Sequence, residues 1–218
     1  MRLGIFGGTL NPIHYGHLRA AEEVRGMLKL DKILFIPSGK PPFKKPELAS
    51  GGRRYEMTKI AVRGNPFFDV SDIELKRRGV SYTVDTLSSL TGKFKNAEFF
   101  FILGIDAFLD LPLWKESDKL LGLANIVVIS RPGFSFADLA SSPYLKGGAV
   151  KTLRGFDKGD KTSLSFKAGS GSKIFLCRIT GLDISASSAR RLIRSGKSIK
   201  YLLPDSVESY IISNKIYR

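Results

Sequence analysis

Near its start the chain runs from an apolar strand directly into a glycine-rich turn, and two histidines three residues apart stand where a helix begins; residues 4–17 read GIFGGTLNPIHYGH. Gly7 and Gly8 carry no Cβ atom, so an anion can approach their backbone N–H groups closely. The helix that follows directs its unsatisfied N–H groups and the positive end of its dipole the same way. His14 and His17 add side-chain donors. The turn therefore predicts a pocket for phosphate.

Short apolar runs alternate with segments of helical spacing along most of the chain. This alternation is typical of a parallel sheet covered by helices on both faces. We therefore predict a Rossmann-like, doubly wound α/β fold with a mainly parallel sheet, built as a single domain over residues 1–218. The predicted strands lie at 3–6, 33–36, 67–70, 99–103, 126–129 and 174–179, and the predicted helices at 16–28, 53–63, 82–90 and 116–123.

Four segments follow predicted strands directly, at 7–17, 37–44, 104–106 and 131–133. Ligands of such sheets bind beyond the carboxyl ends of the strands. Because the carboxyl ends of parallel strands share one edge of the sheet, we expect these four segments to gather there and form the site.

Two later parts of the chain differ from this pattern. Residues 135–173 are rich in Gly, Ser and Lys, with few large hydrophobic residues and no clear period, which predicts a flexible surface insertion. A C-terminal helical part should follow at about 184–218. A serine-capped helix is expected to start near Ile184, and Pro204 suits the first position of a last helix.

The charge of the chain points to anionic partners. With 35 Lys and Arg against 20 Asp and Glu, the formal net charge is +15, which attracts anions at long range. The positive charges are spread out and form no single basic tract with interleaved aromatic residues, as a nucleic-acid groove would. The chain also lacks an apolar stretch of membrane-helix length and a signal-peptide core. We therefore expect a cytoplasmic protein with no nucleic-acid or membrane partner.

Other familiar sites have less support. Residues 196–198 resemble the end of a Walker A loop, but Arg191 replaces the glycine required five residues earlier. A metal held by His14 and His17 would need a third ligand, which the nearby sequence does not offer, so we predict no metal bound by the protein itself. A capping or core role for both histidines stays open.

The lone Cys177 excludes an intramolecular disulfide and is expected to be buried.

A second candidate phosphate-binding segment lies far along the chain, where residues 184–190 read ISASSAR. Ser185 and Ser187 place hydroxyl groups at a predicted helix N-terminus, and Arg190 follows within one turn. Such a cluster can hold a polyphosphate. An ordinary N-cap followed by a solvated basic helix explains the same residues equally well.

Taken together, these motifs resemble those of the bacterial nicotinate-nucleotide adenylyltransferases of the HxGH nucleotidyltransferase superfamily. The resemblance covers almost the whole chain, omitting only about residues 135–173. The opening GGTLNPIHYGH matches the nucleotide-binding motif of the superfamily, and the distal segment resembles its ISSTxIR motif. Four further motifs distinguish this family, by its acceptor substrate, from the rest of the superfamily. They occur in the order of the family and read SYTVDTL at 81–87, GID at 104–106, LPLWK at 111–115 and RPG at 131–133.

The resemblance implies a nucleotidyltransferase that moves the adenylyl group of ATP to nicotinate mononucleotide, giving nicotinate adenine dinucleotide and pyrophosphate in NAD biosynthesis. It implies catalytic roles for His14, His17, Lys44 and Arg190. It implies that ATP contacts Gly7, Gly8, Thr9, His14, His17, Gly104, Asp106, Ser185, Ser187 and Arg190. It implies that nicotinate mononucleotide contacts Tyr82, Thr83, Trp114 and Arg131.

This reaction needs no general base from the protein. A phosphate monoester has its second pKa near 6 and is already nucleophilic at neutral pH, so the protein aligns the reactants and offsets charge. Mg²⁺ should be coordinated mainly by the ATP phosphates and by its own water ligands. An electron-poor pyridinium ring should stack on the indole of Trp114, although a core role for this tryptophan stays open.

The chain departs from the family pattern at three positions. The family's PPHK loop reads PPFK at 41–44, so Phe43 replaces a histidine whose role is lost or reassigned. Asn11 replaces the usual acidic residue before Pro12, and Ala189 replaces a larger aliphatic residue. The last two changes should affect loop packing more than chemistry.

Two alternative functions stay open. One is adenylyl or cytidylyl transfer to another phosphate acceptor, such as nicotinamide mononucleotide or phosphopantetheine. The other is a non-catalytic RNA-binding protein, which would retain RNA in a salt-sensitive way and release no pyrophosphate from ATP. The sequence does not fix the oligomeric state, and a homodimer is one option.

Overall fold

A computed structural model describes residues 1–42, 47–145, 149–159, 161–168 and 171–218. The strands β1 to β7 are Arg2–Gly8, Lys32–Pro37, Phe68–Val70, Glu98–Gly104, Asn125–Ile129, Ser163–Lys167 and Lys173–Cys177. The helices α1 to α9 are Tyr15–Met27, Gly51–Val62, Ile73–Lys76, Thr83–Lys93, Ile105–Leu109, Ser117–Leu123, Ala149–Lys158, Ala186–Arg194 and Asp205–Ser213. Each predicted strand and helix is present, with its ends shifted by a few residues.

The described strands form a seven-stranded sheet in the order β3-β2-β1-β4-β5-β7-β6. All neighbouring pairs are parallel except β6 and β7, which are antiparallel. The predicted Rossmann-like, mainly parallel α/β fold is therefore confirmed. The chain runs outward from β1 to β3 and then returns to β4 on the other side of β1, which leaves a crevice where the strand order reverses.

Both faces of the sheet are buried, which is why its strands are continuous apolar runs instead of alternating ones. On β4, Phe99, Phe101 and Leu103 belong to one core cluster, whereas Phe100 and Ile102 belong to the other. A side chain therefore enters one core or the other at each successive position of the strand.

Cys177, at the end of β7, is fully buried in the second of these clusters, as predicted. Burial raises the pKa of its thiol to about 12. The sulfur atom therefore stays protonated at neutral pH and acts as a small apolar group.

The segment 135–173 is more regular and better packed than the sequence predicts. Its described residues contain a 3-10 helix at Phe136–Ser141, then α7 and the edge strand β6. Leu139 and Leu153 are fully buried, and Phe156 is 4% exposed. The lack of a clear period in the sequence did not indicate these elements, because a few apolar side chains, three residues apart on α7, are enough to bury one face of a short helix. The expected flexibility of this segment stays a prediction.

The C-terminal part is helical, as predicted. Ser185 is the N-cap of α8, and its hydroxyl accepts a hydrogen bond from the N–H of Ser188 at 3.2 Å. Pro204 is the N-cap of α9 and not its first helical residue. In the part of the chain described, no helix has both the length and the apolar content needed to cross a membrane.

Leu153→Ala should lower the free energy of unfolding by about 2–5 kcal/mol, because it leaves a cavity in the core. Chemical denaturation of the purified protein measures the loss. Val150→Ala on the same helix is the matched control, since Val150 is 45% exposed, and it should change stability by no more than about 0.5 kcal/mol. Equal losses at both positions would contradict the packing of α7.

Candidate active site

A cleft of about 790 Å³ opens at the carboxyl ends of the central strands. Every predicted site residue that the structure describes lines it: Gly7, Gly8, Thr9, His14, His17, Tyr82, Thr83, Gly104, Asp106, Trp114, Arg131, Ser185, Ser187 and Arg190. We predicted that the four segments after the strands gather at one edge of the sheet, and their described residues do so. Lys44 and Phe43 lie outside the described residues. The role of each residue stays a prediction.

The two histidines meet at the start of α1. His14 is the N-cap of this helix, and its ring stacks on that of His17 with the centroids 3.7 Å apart. The backbone N–H of His14 donates to Nδ1 of His17 at 3.2 Å. A neutral imidazole that accepts at Nδ1 carries its proton on Nε2. Nε2 of His17 is therefore a hydrogen-bond donor in a residue that lines the cleft.

Both imidazoles are neutral at pH 7. Burial lowers the pKa of His14 to about 4, and the positive charge of Arg131 acts in the same direction. Burial, then His14 and Arg131, hold the pKa of His17 well below its ordinary value. Two stacked imidazolium rings would repel each other, whereas two neutral rings can each offer a donor to an anion. A bound polyphosphate would raise both pKa values.

Gly16 lets the chain fold tightly against His14. A Cβ atom at this position would lie 3.0 Å from Nδ1 of His14 and 3.1 Å from its Cε1. These contacts are tighter than a side-chain carbon normally makes, so a larger residue would push the ring away. Glycine between the two histidines therefore leaves the His14 ring the space that it occupies.

Arg131 and Asp106 form an ion pair between the ends of β5 and β4, in which Nη1 donates to Oδ2. The other oxygen of this carboxylate, Oδ1, is buried and lacks a hydrogen-bond partner among the described residues. A Cβ atom at Gly104 would lie 2.6 Å from that oxygen, so only glycine leaves the carboxylate its position. Asp106 thus holds an acceptor suited to a hydroxyl group.

The turn after β1 is held by hydrogen bonds to backbone and side chain alike. Arg190 donates from Nη1 to the carbonyl of Asn11 at 2.8 Å, and its Nε lies 3.4 Å from a carboxylate oxygen of Glu47. The Asn11 side chain donates to the Glu47 carbonyl at 3.0 Å and accepts from the N–H of Ala49 and the hydroxyl of Tyr217. A carboxylate at position 11 could not make the first of these side-chain bonds, because it has no N–H to donate.

The same cleft contains the predicted acceptor residues. Tyr82 is the N-cap of α4 and makes no side-chain capping bond within the described part of the chain, so the first N–H groups of this helix, including that of Thr83, remain for a ligand. Trp114 packs edge-on against Phe101 at a ring distance of 6.2 Å and also lines the cleft. Trp114 therefore contacts both the core and the cleft.

Sequence reasoning missed two charged residues beside the site, the buried Arg54 and the half-buried Glu74. Arg54 is fully buried in α2, and burial lowers the pKa of its guanidinium. Glu74 lines the cleft and accepts hydrogen bonds from Thr86 and from the N–H of Gly39, and burial raises the pKa of its carboxyl. One signal was present: Arg54 occupies the same helical face as the apolar Met57, three residues on.

Comparisons with known proteins agree with this geometry. The profile of a family described as cytidylyltransferase-like matches residues 5–192. A protein of Geotalea daltonii, named "Probable nicotinate-nucleotide adenylyltransferase", is 45% identical over 100% of this chain and 98% of its own length. One of the same name from Dictyoglomus thermophilum is 42% identical over 100% of both chains.

Among solved structures, a nicotinic acid mononucleotide adenylyltransferase of Plasmodium falciparum, complexed with NaAD, superimposes with a TM-score of 0.73 at 21% identity. The superposition covers 99% of this chain and 97% of the other. At this level of identity the likeness bears on the fold alone, and it agrees with the doubly wound sheet.

Acidification should destabilise the protein through His14. In the unfolded chain this residue binds a proton near its ordinary pKa of 6.5, but in the native state only near 4. The stability it contributes is therefore complete above pH 6.5 and is lost as the pH falls toward 4, by at most about 3 kcal/mol. Urea unfolding at a series of pH values should show a shallower slope for His14→Asn over this interval than for the unaltered protein. Parallel slopes would contradict the buried neutral state of His14.

Proposed function

We infer that this chain transfers the adenylyl group of ATP to nicotinate mononucleotide in NAD biosynthesis, because of the family to which it belongs. The chain is a member of the cytidylyltransferase-like family and, within it, of the nicotinate-nucleotide adenylyltransferases. The observation that carries this conclusion is the convergence of two distant motifs, at 7–17 and 184–190, with the predicted acceptor residues on one cleft. The products are nicotinate adenine dinucleotide and pyrophosphate.

In the proposed reaction a phosphate oxygen of nicotinate mononucleotide attacks the α-phosphorus of ATP in line. The bond from that phosphorus to the oxygen bridging the β-phosphate breaks, and pyrophosphate leaves with its electron pair. The nucleophile already carries negative charge at neutral pH, so no base has to remove a proton. Neutral His17, with its proton on Nε2, suits the work of a donor to the phosphates.

The two ends of the cleft suit the two substrates. On the ATP side we assign the ribose hydroxyls to Oδ1 of Asp106, for which the described residues offer no hydrogen-bond partner. We assign the phosphates to His14, His17, Ser187 and Arg190. The phosphates would then compete with Glu47 for Arg190, which lies 3.4 Å from that carboxylate here.

On the acceptor side we assign the nicotinate ring to Trp114 and to the uncapped N-terminus of α4 at Tyr82 and Thr83. Arg131 would meet the acceptor phosphate, since it lines the cleft after the end of β5 and its positive charge lowers the pKa of both histidines. The phosphate that attacks would thus lie near the histidines that are assigned to the ATP phosphates.

Mg²⁺ is proposed to enter on the ATP phosphates with most of its waters, as its preference for water ligands suggests. Within the described residues, no group of three or more His, Cys, Asp or Glu side chains is arranged to hold a metal. A cytoplasmic location and a homodimeric state stay predictions.

The test of the function is pyrophosphate release from ATP with each mononucleotide in parallel. We expect nicotinate mononucleotide to support the highest kcat/KM, with nicotinamide mononucleotide and phosphopantetheine as competitors in the same assay. A higher kcat/KM with either competitor would move the function to another acceptor. Pyrophosphate release with none of them, together with salt-sensitive RNA binding, would favour the RNA-binding alternative.

His17→Ala should lower kcat by about 10²–10³, because it removes a preorganised donor to the charge that develops on the phosphates. His14→Ala should lower it less. Arg19→Ala is the matched control, since Arg19 lies on the exposed face of the same helix and pairs with Glu23, and it should leave turnover unchanged. Near-normal turnover in the His17 variant would refute the assigned role.

A further inference from the structure

The side chain of Arg54 is fully buried, and its hydrogen bonds all run to backbone carbonyl oxygens of the described residues. Nε donates to Ala49 at 2.9 Å, Nη1 to Thr9 at 2.8 Å, and Nη2 to Ser38 at 2.6 Å and Gly39 at 3.3 Å. Four of the five N–H groups of the guanidinium are accounted for in this way. One planar group therefore joins three separate segments of backbone.

Two of these segments line the cleft, one at Thr9 and the other at Ser38. Thr9 belongs to the glycine-rich turn that we assign to the ATP phosphates, and Ser38 and Gly39 belong to the loop after β2. Ala49 precedes α2, the helix that carries Arg54 itself. The guanidinium lies between the two loops and sets how far apart they stand.

The loop after β2 connects Arg54 to the proposed nicotinate subsite through hydrogen bonds. In a trans peptide the C=O and N–H groups point in opposite directions, so a carbonyl held by Arg54 turns the next N–H away from it. The N–H of Gly39 donates to Glu74 at 3.2 Å, and the N–H of Lys40 donates to the hydroxyl of Ser81 at 3.1 Å. Ser81 immediately precedes Tyr82, where the proposed nicotinate subsite begins.

The glycine-rich turn is constrained in the same way. Leu10 has a φ of +46°, in the left-handed region that leucine rarely adopts. Arg54 holds the carbonyl before it, on Thr9, and Arg190 holds the carbonyl after it, on Asn11. The N–H of Leu10 is thereby turned away from Arg54, and Leu10 itself lines the cleft.

We propose that Arg54 is a positioning residue of the adenylyl transfer: from beneath the cleft it fixes the distance between the phosphate turn and the acceptor loop, and so the line of attack. The inference rests on the proposed function, and Arg54 itself is not assigned any contact with substrate. A misplacement of about 1 Å between reacting groups can slow a reaction by about 10²-fold. Lysine cannot replace this residue, because a single ammonium group cannot reach carbonyls on both sides as a planar guanidinium does.

The experiment compares Arg54→Lys with Met57→Ala. Met57 is fully buried on the same helix but does not line the cleft, so its variant controls for lost stability alone. We expect folded Arg54→Lys to show kcat lowered by about 10–100-fold with each KM changed by less than about threefold, the signature of lost alignment. Met57→Ala should keep kcat within about twofold when assayed below its unfolding temperature. A folded Arg54→Lys protein with normal kcat would overturn the proposal.

Hydrogen exchange gives a second readout that does not depend on the reaction. Arg54→Lys should speed exchange in peptides covering residues 8–12 and 38–40 and leave α9 unchanged, whereas unchanged exchange in both loops would overturn the proposal. If wild-type protein releases no pyrophosphate with any mononucleotide, the proposed function is wrong. There is then no adenylyl transfer for Arg54 to align.

If Arg54→Lys does not fold, Ser81→Ala is the deciding variant, because it removes the hydroxyl that accepts from Lys40 and also hydrogen-bonds to Glu74, while Arg54 stays in place. We expect kcat to fall by about 3–10-fold, and an unchanged kcat would overturn the proposal. Exchange at residues 38–40 should rise in this variant as well, whereas exchange at residues 8–12 should not.

Discussion

The register of β1 between its two neighbours is the constraint on which the site depends. Gly8 of β1 stands beside Pro37 of β2, while Phe6 stands beside Ile102 of β4. All three strands therefore end at nearly the same level, and the loops that follow them emerge side by side. A slip of one residue would exchange the two faces of β1 and move its apolar side chains into the wrong core. Burial on both faces thus fixes the geometry of the cleft.

The electrostatics of the site differ from what the charge of the whole chain suggests. The net charge of +15 attracts anions from a distance, but the two histidines that are assigned to the phosphates are neutral. Two arginines that line the same cleft already have oxygen partners: Arg131 pairs with Asp106, and Arg190 pairs with Asn11 and Glu47. Anions would therefore be bound by oriented donors, with each arginine exchanging or sharing a partner it already has.

Sequence reasoning finds what local pattern determines. Buried parallel strands leave continuous apolar runs, and an N-cap such as Ser185 leaves a serine before a helix, so both could be predicted. The packing of residues 135–173 could not, because its signal is a few side chains such as Leu153 and Phe156 among many polar ones. Arg54 was missed for a different reason: its partners are backbone carbonyls, which carry no residue-type signature, and an arginine in a helix normally indicates a solvated face.

The phosphate turn is completed by residues from distant parts of the sequence. Arg54 on α2 holds Thr9, Arg190 on α8 holds Asn11, and Tyr217, after α9, donates to the Asn11 side chain at 2.7 Å. Helices α2 and α9 share the core cluster that contains Met57 and buried residues of α9. Because the left-handed backbone at Leu10 is unfavourable by itself, the turn keeps its shape only when these elements have packed around it. The motif supplies the chemical groups, and tertiary packing across the chain supplies their geometry.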